Sequence, residues 1–163
     1  MNPWRPLRTL IAFAILVLLH FTLRPLLGWH AEMDFLIIAL LLAAVRVRPG
    51  TAAVIGFAMG LVSDALTPAA FGSGALAMSG IGYAASWLKA AFFADNLALN
   101  GFFFFLGKWV FDVVYLMSER RVQGTALVMD LLVWSPLAAA ATAGAGVLLL
   151  VLLRPLLETS AQR

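Results

Sequence analysis

Two charges one helical turn apart, Lys108 and Asp112, stand inside an apolar run covering about 97–117. At i and i+4 their side chains share a helix face and can meet. Within a membrane such a pair neutralises both charges and lowers the cost of inserting them. It is either an internal ion pair facing the other helices or part of a polar cavity that holds a ligand or receives a partner. A second carboxylate closes a row of small residues. Ala52, Gly56, Gly60 and Asp64 are each four positions apart and line one slowly rotating helix face. Small residues let a neighbouring helix approach closely, and a charge at the end of the row needs a partner. That neighbour is either another helix of the same chain or a helix of a second protein. Gly56, Gly60 and Asp64 are therefore candidate interface residues.

Bond-making chemistry has little to work with. His20 and His30 are the only histidines and there is no cysteine, so thiolate metal sites and disulfides are excluded. Gly72-Ser73-Gly74 lacks the G-x-S-x-G spacing of a nucleophile elbow. A serine protease inside the membrane would need His20 beside that serine. Asp64 and Asp112 could be imagined as an aspartyl dyad, but no glycine-aspartate motif supports them. No phosphate loop or dinucleotide fingerprint is present. The expectation is a protein that is not an enzyme and carries no cofactor and no metal.

What must position these residues is a set of membrane helices. Apolar residues make up 63% of the chain and charged residues 12%, and the mean hydropathy is +0.99. Soluble domains are about half apolar and about a quarter charged. In lipid every backbone polar group is paired internally, so apolar runs read as helices, and strand-like alternation is absent. The net charge of +3 comes from basic residues scattered at helix ends, which fits membrane topology rather than nucleic-acid binding.

The runs divide into six expected spans at about 9–23, 34–45, 51–66, 74–88, 97–117 and 136–153, in one integral membrane domain. The first reads as uncleaved, because Leu23-Arg24-Pro25 follows it instead of a small-x-small cleavage site. Arg46 and Arg48 anchor the turn after the second span, which Pro49-Gly50 close. Ser135-Pro136 reads as the start of the last helix, serine as N-cap and proline at the first position. That leaves 126–134 as a short interfacial or half-inserted helix. The small-residue row Ala138 to Gly146 is expected to pack on another helix, and Phe102 to Phe105 to face lipid. With both termini inside, the cytoplasmic face collects Arg5, Arg8, Arg46, Arg48, Lys89, Arg154 and Arg163. Only Arg24, Arg120 and Arg121 fall outside, the direction that positive charge favours.

From Asp34 to Leu88 the sequence resembles the rod shape-determining protein MreD family. The shared marks are Asp34-Phe35-Leu36, the basic turn Arg46-Val47-Arg48, and Gly56/Gly60-Leu61-Val62-Ser63-Asp64. Pro68, Gly72/Gly74 and Gly82-Tyr83 complete them. The resemblance implies an all-α, six-helix bundle similar to the substrate-binding subunits of energy-coupling-factor transporters. It implies a non-enzymatic scaffold of the bacterial cell-wall elongation complex in the inner (cytoplasmic) membrane. The implied partners are a bitopic MreC-like protein, the elongation transpeptidase, a RodA-like glycosyltransferase and, indirectly, an MreB-like filament, together with membrane lipid. No catalytic residues are carried over. The other reading is a vitamin-binding transporter subunit itself. Its docking pattern on the first span is missing, since Ala12 and Ala14 have the wrong spacing.

Overall fold

A helix that is apolar on every side belongs in the middle of its fold. Phe35–Ala44 (α1) is such a helix, and nine of its ten residues are buried. Asp34 starts it: the carboxylate accepts hydrogen bonds from the Leu36 and Ile37 amides at 3.1 and 3.2 Å. An Asp N-cap satisfies amides that no helical carbonyl can reach. At the other end the Arg46 guanidinium donates to the Leu42 carbonyl at 3.0 Å, closing the helix into the 45–48 turn. These details come from a computed structural model that describes residues 14–18, 20, 22, 34–66, 71–92, 96–119 and 124–158.

Around α1 stand Pro49–Leu66 (α2), Ser73–Phe92 (α3), Leu97–Glu119 (α4) and a last helical stretch from Thr125 to Glu158. No strand occurs among the described residues. The most intimate pairing joins α2 to α3, and the next joins α4 to the C-terminal helix; α1 touches all four. Residues 14–18, 20 and 22 are also helical, and Leu16 is buried in the same core as α1. His30, the loop 67–70 and the basic residues at 5, 8, 24, 120, 121 and 163 lie outside the described residues.

The C-terminal stretch departs from the expected break at Ser135-Pro136. Thr125–Met129 (α5), the π-helical turn Asp130–Trp134 and Ser135–Glu158 (α6) follow one another without interruption. Ser135 has helical dihedrals, φ −62° and ψ −45°, and its amide bonds to the Asp130 carbonyl five residues back. It is therefore no N-cap. Proline inside a regular helix would collide with the carbonyl four residues before it. The wider π turn just ahead of Pro136 lets the helix continue past it. Phe102–Phe105 also differ from expectation: Phe102 faces outward, but Phe103 and Phe104 are in the core. Successive residues turn by about a third of a circle, and α4 has α3 on one side and α6 on the other, so the run cannot all face lipid.

By length and composition, Leu97–Ser118 and Leu127–Leu152 are long and apolar enough to cross a membrane, and Phe35–Ala44 and Pro49–Ala65 are shorter apolar helices. The outward faces carry large apolar side chains, Val54 and Val62 on α2, Leu76 and Trp87 on α3, Leu148 and Leu152 on α6. Surfaces of this kind suit lipid rather than water.

Candidate functional site: a glycine seam and a buried charge cluster

The row of small residues on α2 meets α3 of the same chain. A Cβ added at Gly56 would stand 2.2 Å from the Met78 carbonyl oxygen, and one at Gly60 would stand 2.3 Å from the Ala75 Cα. From the other side, a Cβ at Gly82 would lie 2.5 Å from the Ala52 carbonyl oxygen. Backbone packs on backbone along the whole seam, which only glycine permits at these positions. The expected partner interface on Gly56, Gly60 and Asp64 is thus corrected: α3 already fills that face, leaving no space for a second protein's helix.

Asp64 ends the seam, 2% exposed. One carboxylate oxygen accepts from the Gly72 and Ala75 amides at 2.9 and 3.0 Å, and the other accepts from the Gly74 amide at 3.2 Å. A carboxylate taking amides at the start of α3 satisfies orphan donors and meets the positive end of the helix. Gly72 turns the chain there with φ +98°, in the left-handed region where a side chain is costly. Gly74 leaves room for the carboxylate itself, since a Cβ would fall 2.3 Å from Asp64 Oδ1.

Charges gather at a second place, between α1, α4, α6 and the N-terminal helical residues. Lys108 is buried and its ammonium contacts Asp112 one turn further along α4. The same ammonium lies 3.6 Å from Asp34 Oδ2, and His20 Nδ1 lies 3.4 Å from Asp34 Oδ1. The Lys108 nitrogen also sits 5.2 Å from the centre of the Phe111 ring, within cation–π range. Ser135 is buried at the start of α6, and Thr142 Oγ1 accepts from the Asp34 amide at 3.1 Å. One ammonium therefore serves two carboxylates, and the His20 imidazole stands against one of them. Buried charges persist only when paired and hydrogen-bonded, and this cluster meets both conditions.

Asp34 joins α1 to α4, and Thr142 joins α6 to the N-terminus of α1. The cluster is what fastens three helices at one level. Lys108 and Asp112 announced themselves by spacing. Asp34 could have been found as an acid directly before an apolar run, an N-cap signal. His20 and Thr142 gave no local sign of being there. Asp64 and Asp112 are not brought together, since they end in different clusters with different partners. His20 stands against Asp34. Among the described residues no group of three or more His, Asp or Glu side chains is placed to hold a metal ion.

Among the described residues, fold and site define an all-helical protein with apolar outer faces and a charge cluster buried between its helices. The profile of the rod shape-determining protein MreD family matches residues 4–152, nearly the whole chain, and the chain belongs to that family. Membership brings involvement in rod-shape determination, and MreD is a family of membrane proteins. No curated protein and no solved structure matches the chain. The expected likeness to energy-coupling-factor subunits therefore gains no support, and neither does the transporter reading.

Proposed function

We propose that this chain is a non-enzymatic scaffold of the cell-wall elongation complex, a multi-pass protein of the bacterial inner membrane. It maintains rod shape by binding an MreC-like bitopic protein and the peptidoglycan-synthesis machinery, the elongation transpeptidase and a RodA-like glycosyltransferase. The family match over residues 4–152 carries this reading. The geometry supports it. Asp64 is spent on three backbone amides, and Lys108 on two carboxylates. Side chains committed in this way stabilise a fold and hold its helices at fixed depth; they are not poised for a substrate. A rigid bundle with apolar outer faces is what a holder of other membrane proteins requires.

The contact with the MreC-like span belongs on an outward face, because the glycine face of α2 is closed by α3. Tagging the protein in its host, solubilising gently and identifying co-purified proteins by mass spectrometry tests the reading. An MreC-like protein or an elongation transpeptidase is the expected companion. Recovery of an ATPase and a coupling subunit instead would overturn it. Substitution of outward-facing Phe57 or Tyr83 separates partner loss from misfolding, which substitution in the seam cannot do.

A further inference from the structure

Along the junction of α3 and α4 runs a trench whose walls are wholly apolar. Ile81, Ala84 and Leu88 line it from α3, Phe103, Gly107 and Val110 from α4, and Leu41 of α1 forms the floor. It encloses about 80 Å³. From Ile81 to Leu88 it extends roughly 10 Å along the helix axis at 1.5 Å per residue. Ala84 and Gly107 create the opening by omission: longer side chains there would fill it. A volume of this size, lined only by apolar side chains, suits a slender group such as a single hydrocarbon chain.

Charge at one end of the trench identifies the rest of the occupant. Leu88 is followed by Lys89, and the α1–α2 turn carrying Arg46 and Arg48 is tied to the same end. Ser86 Oγ and Lys89 Nζ both donate to the Val47 carbonyl, at 2.7 and 3.2 Å. The Val47 bond uses one of the three donors of the Lys89 ammonium. Arg46 and Arg48 are exposed, and Trp87 beside them is 72% exposed, an aromatic placed where headgroups begin. We propose that the α3–α4 trench is a lipid site: it takes one acyl chain of an anionic phospholipid, whose phosphate meets the basic end formed by Arg46, Arg48 and Lys89. Basic ends between membrane helices select anionic headgroups, and an apolar slot below them holds the tail.

The test uses the full chain in phosphatidylcholine vesicles containing a trace of phosphatidylglycerol with a photoreactive diazirine in its acyl chain. After irradiation, lipid adducts are mapped by mass spectrometry. Adducts on 81–88 and 103–110 are expected at least five-fold above those on the outward faces at Val54 and Leu148. Ala84→Phe, which fills the trench from an exposed position, should bring them down to that background; should it fail to fold, Ala84→Leu makes the same comparison. Arg48→Gln with Lys89→Gln should lower phosphatidylglycerol adducts several-fold while leaving those from a phosphatidylcholine probe unchanged. Adducts spread evenly over all outward faces, or unaffected by filling the trench, would overturn the site. Equal labelling by both probes in the unmodified chain would overturn the anionic headgroup.

Discussion

The seam between α2 and α3 and the charge cluster between α1, α4 and α6 hold helices together by opposite means. In the seam nothing is added: glycines remove side chains until backbones touch, and contact itself supplies the attraction. In the cluster everything is added: an ammonium, two carboxylates, an imidazole and a hydroxyl are sunk into an apolar interior and must all find one another. The seam tolerates no extra atom but is indifferent to electrostatics along its length. The cluster has little tolerance for a missing atom, since each removal strands a partner. The charge of the seam stands at its end, where Asp64 caps α3.

The largest effect is expected in the seam. Gly60→Ala places a methyl group on the Ala75 backbone, which cannot move aside as a flexible side chain could. Overpacking of this kind costs about 1–3 kcal/mol and sometimes more, and the upper end is expected here. Gly60→Leu should abolish the folded protein. Thermal unfolding in detergent measures both, and an unchanged midpoint for Gly60→Ala would show that α2 and α3 are not in backbone contact.

Below Gly60→Leu, and at or above Gly60→Ala, comes Lys108→Ala, which strands Asp34 and Asp112 together. Breaking a buried pair by removing one member costs about 3–5 kcal/mol, less where the site can take in water. Asp112→Ala leaves Lys108 still beside Asp34 and should cost clearly less. The double variant should be more stable than the sum of the single losses predicts, with a coupling of about 0.5–3 kcal/mol. Strict additivity would mean that the two side chains do not interact.

Asp64→Asn comes next. It retains the shape but loses the charge and one of the two acceptor oxygens, so an amide among Gly72, Gly74 and Ala75 is left without its bond. An unsatisfied buried donor costs about 1–3 kcal/mol. Faster hydrogen exchange at the first turn of α3, with the rest of the bundle unchanged, is the localised signature to look for.

Smallest is Gly80→Ala. Gly80 is exposed on α3, with nothing within 4 Å of an added Cβ. Alanine should be neutral or stabilise by up to about 1 kcal/mol through helix propensity. Opposite signs for Gly60→Ala and Gly80→Ala would establish that position in the seam, and not glycine as such, decides the outcome.

Much of this was written locally. Apolar runs, the Pro49-Gly50 turn and the four-residue rows on α2 and α4 follow from chain chemistry, because helix periodicity is a short-range property. Ser135-Pro136 misled for the same reason: as a local signal it says helix start, and only the π turn ahead of it lets the helix continue. The neighbour of the glycine row was open between a second protein and the same chain, since close approach requires small residues in either case.

Sequence by itself determined that this chain is helical and apolar outside, that Lys108 can reach Asp112, and that its motifs are those of the MreD family. Tertiary structure decided who meets whom. It set α3 against the glycines, Asp64 on the amides that begin α3, and Asp34 beside Lys108 and His20. It also brought Thr142 to Asp34 across 108 positions of sequence. Periodicity fixes which residues share a face, but which faces come together is settled by the joint packing of all the helices, a property no single segment contains.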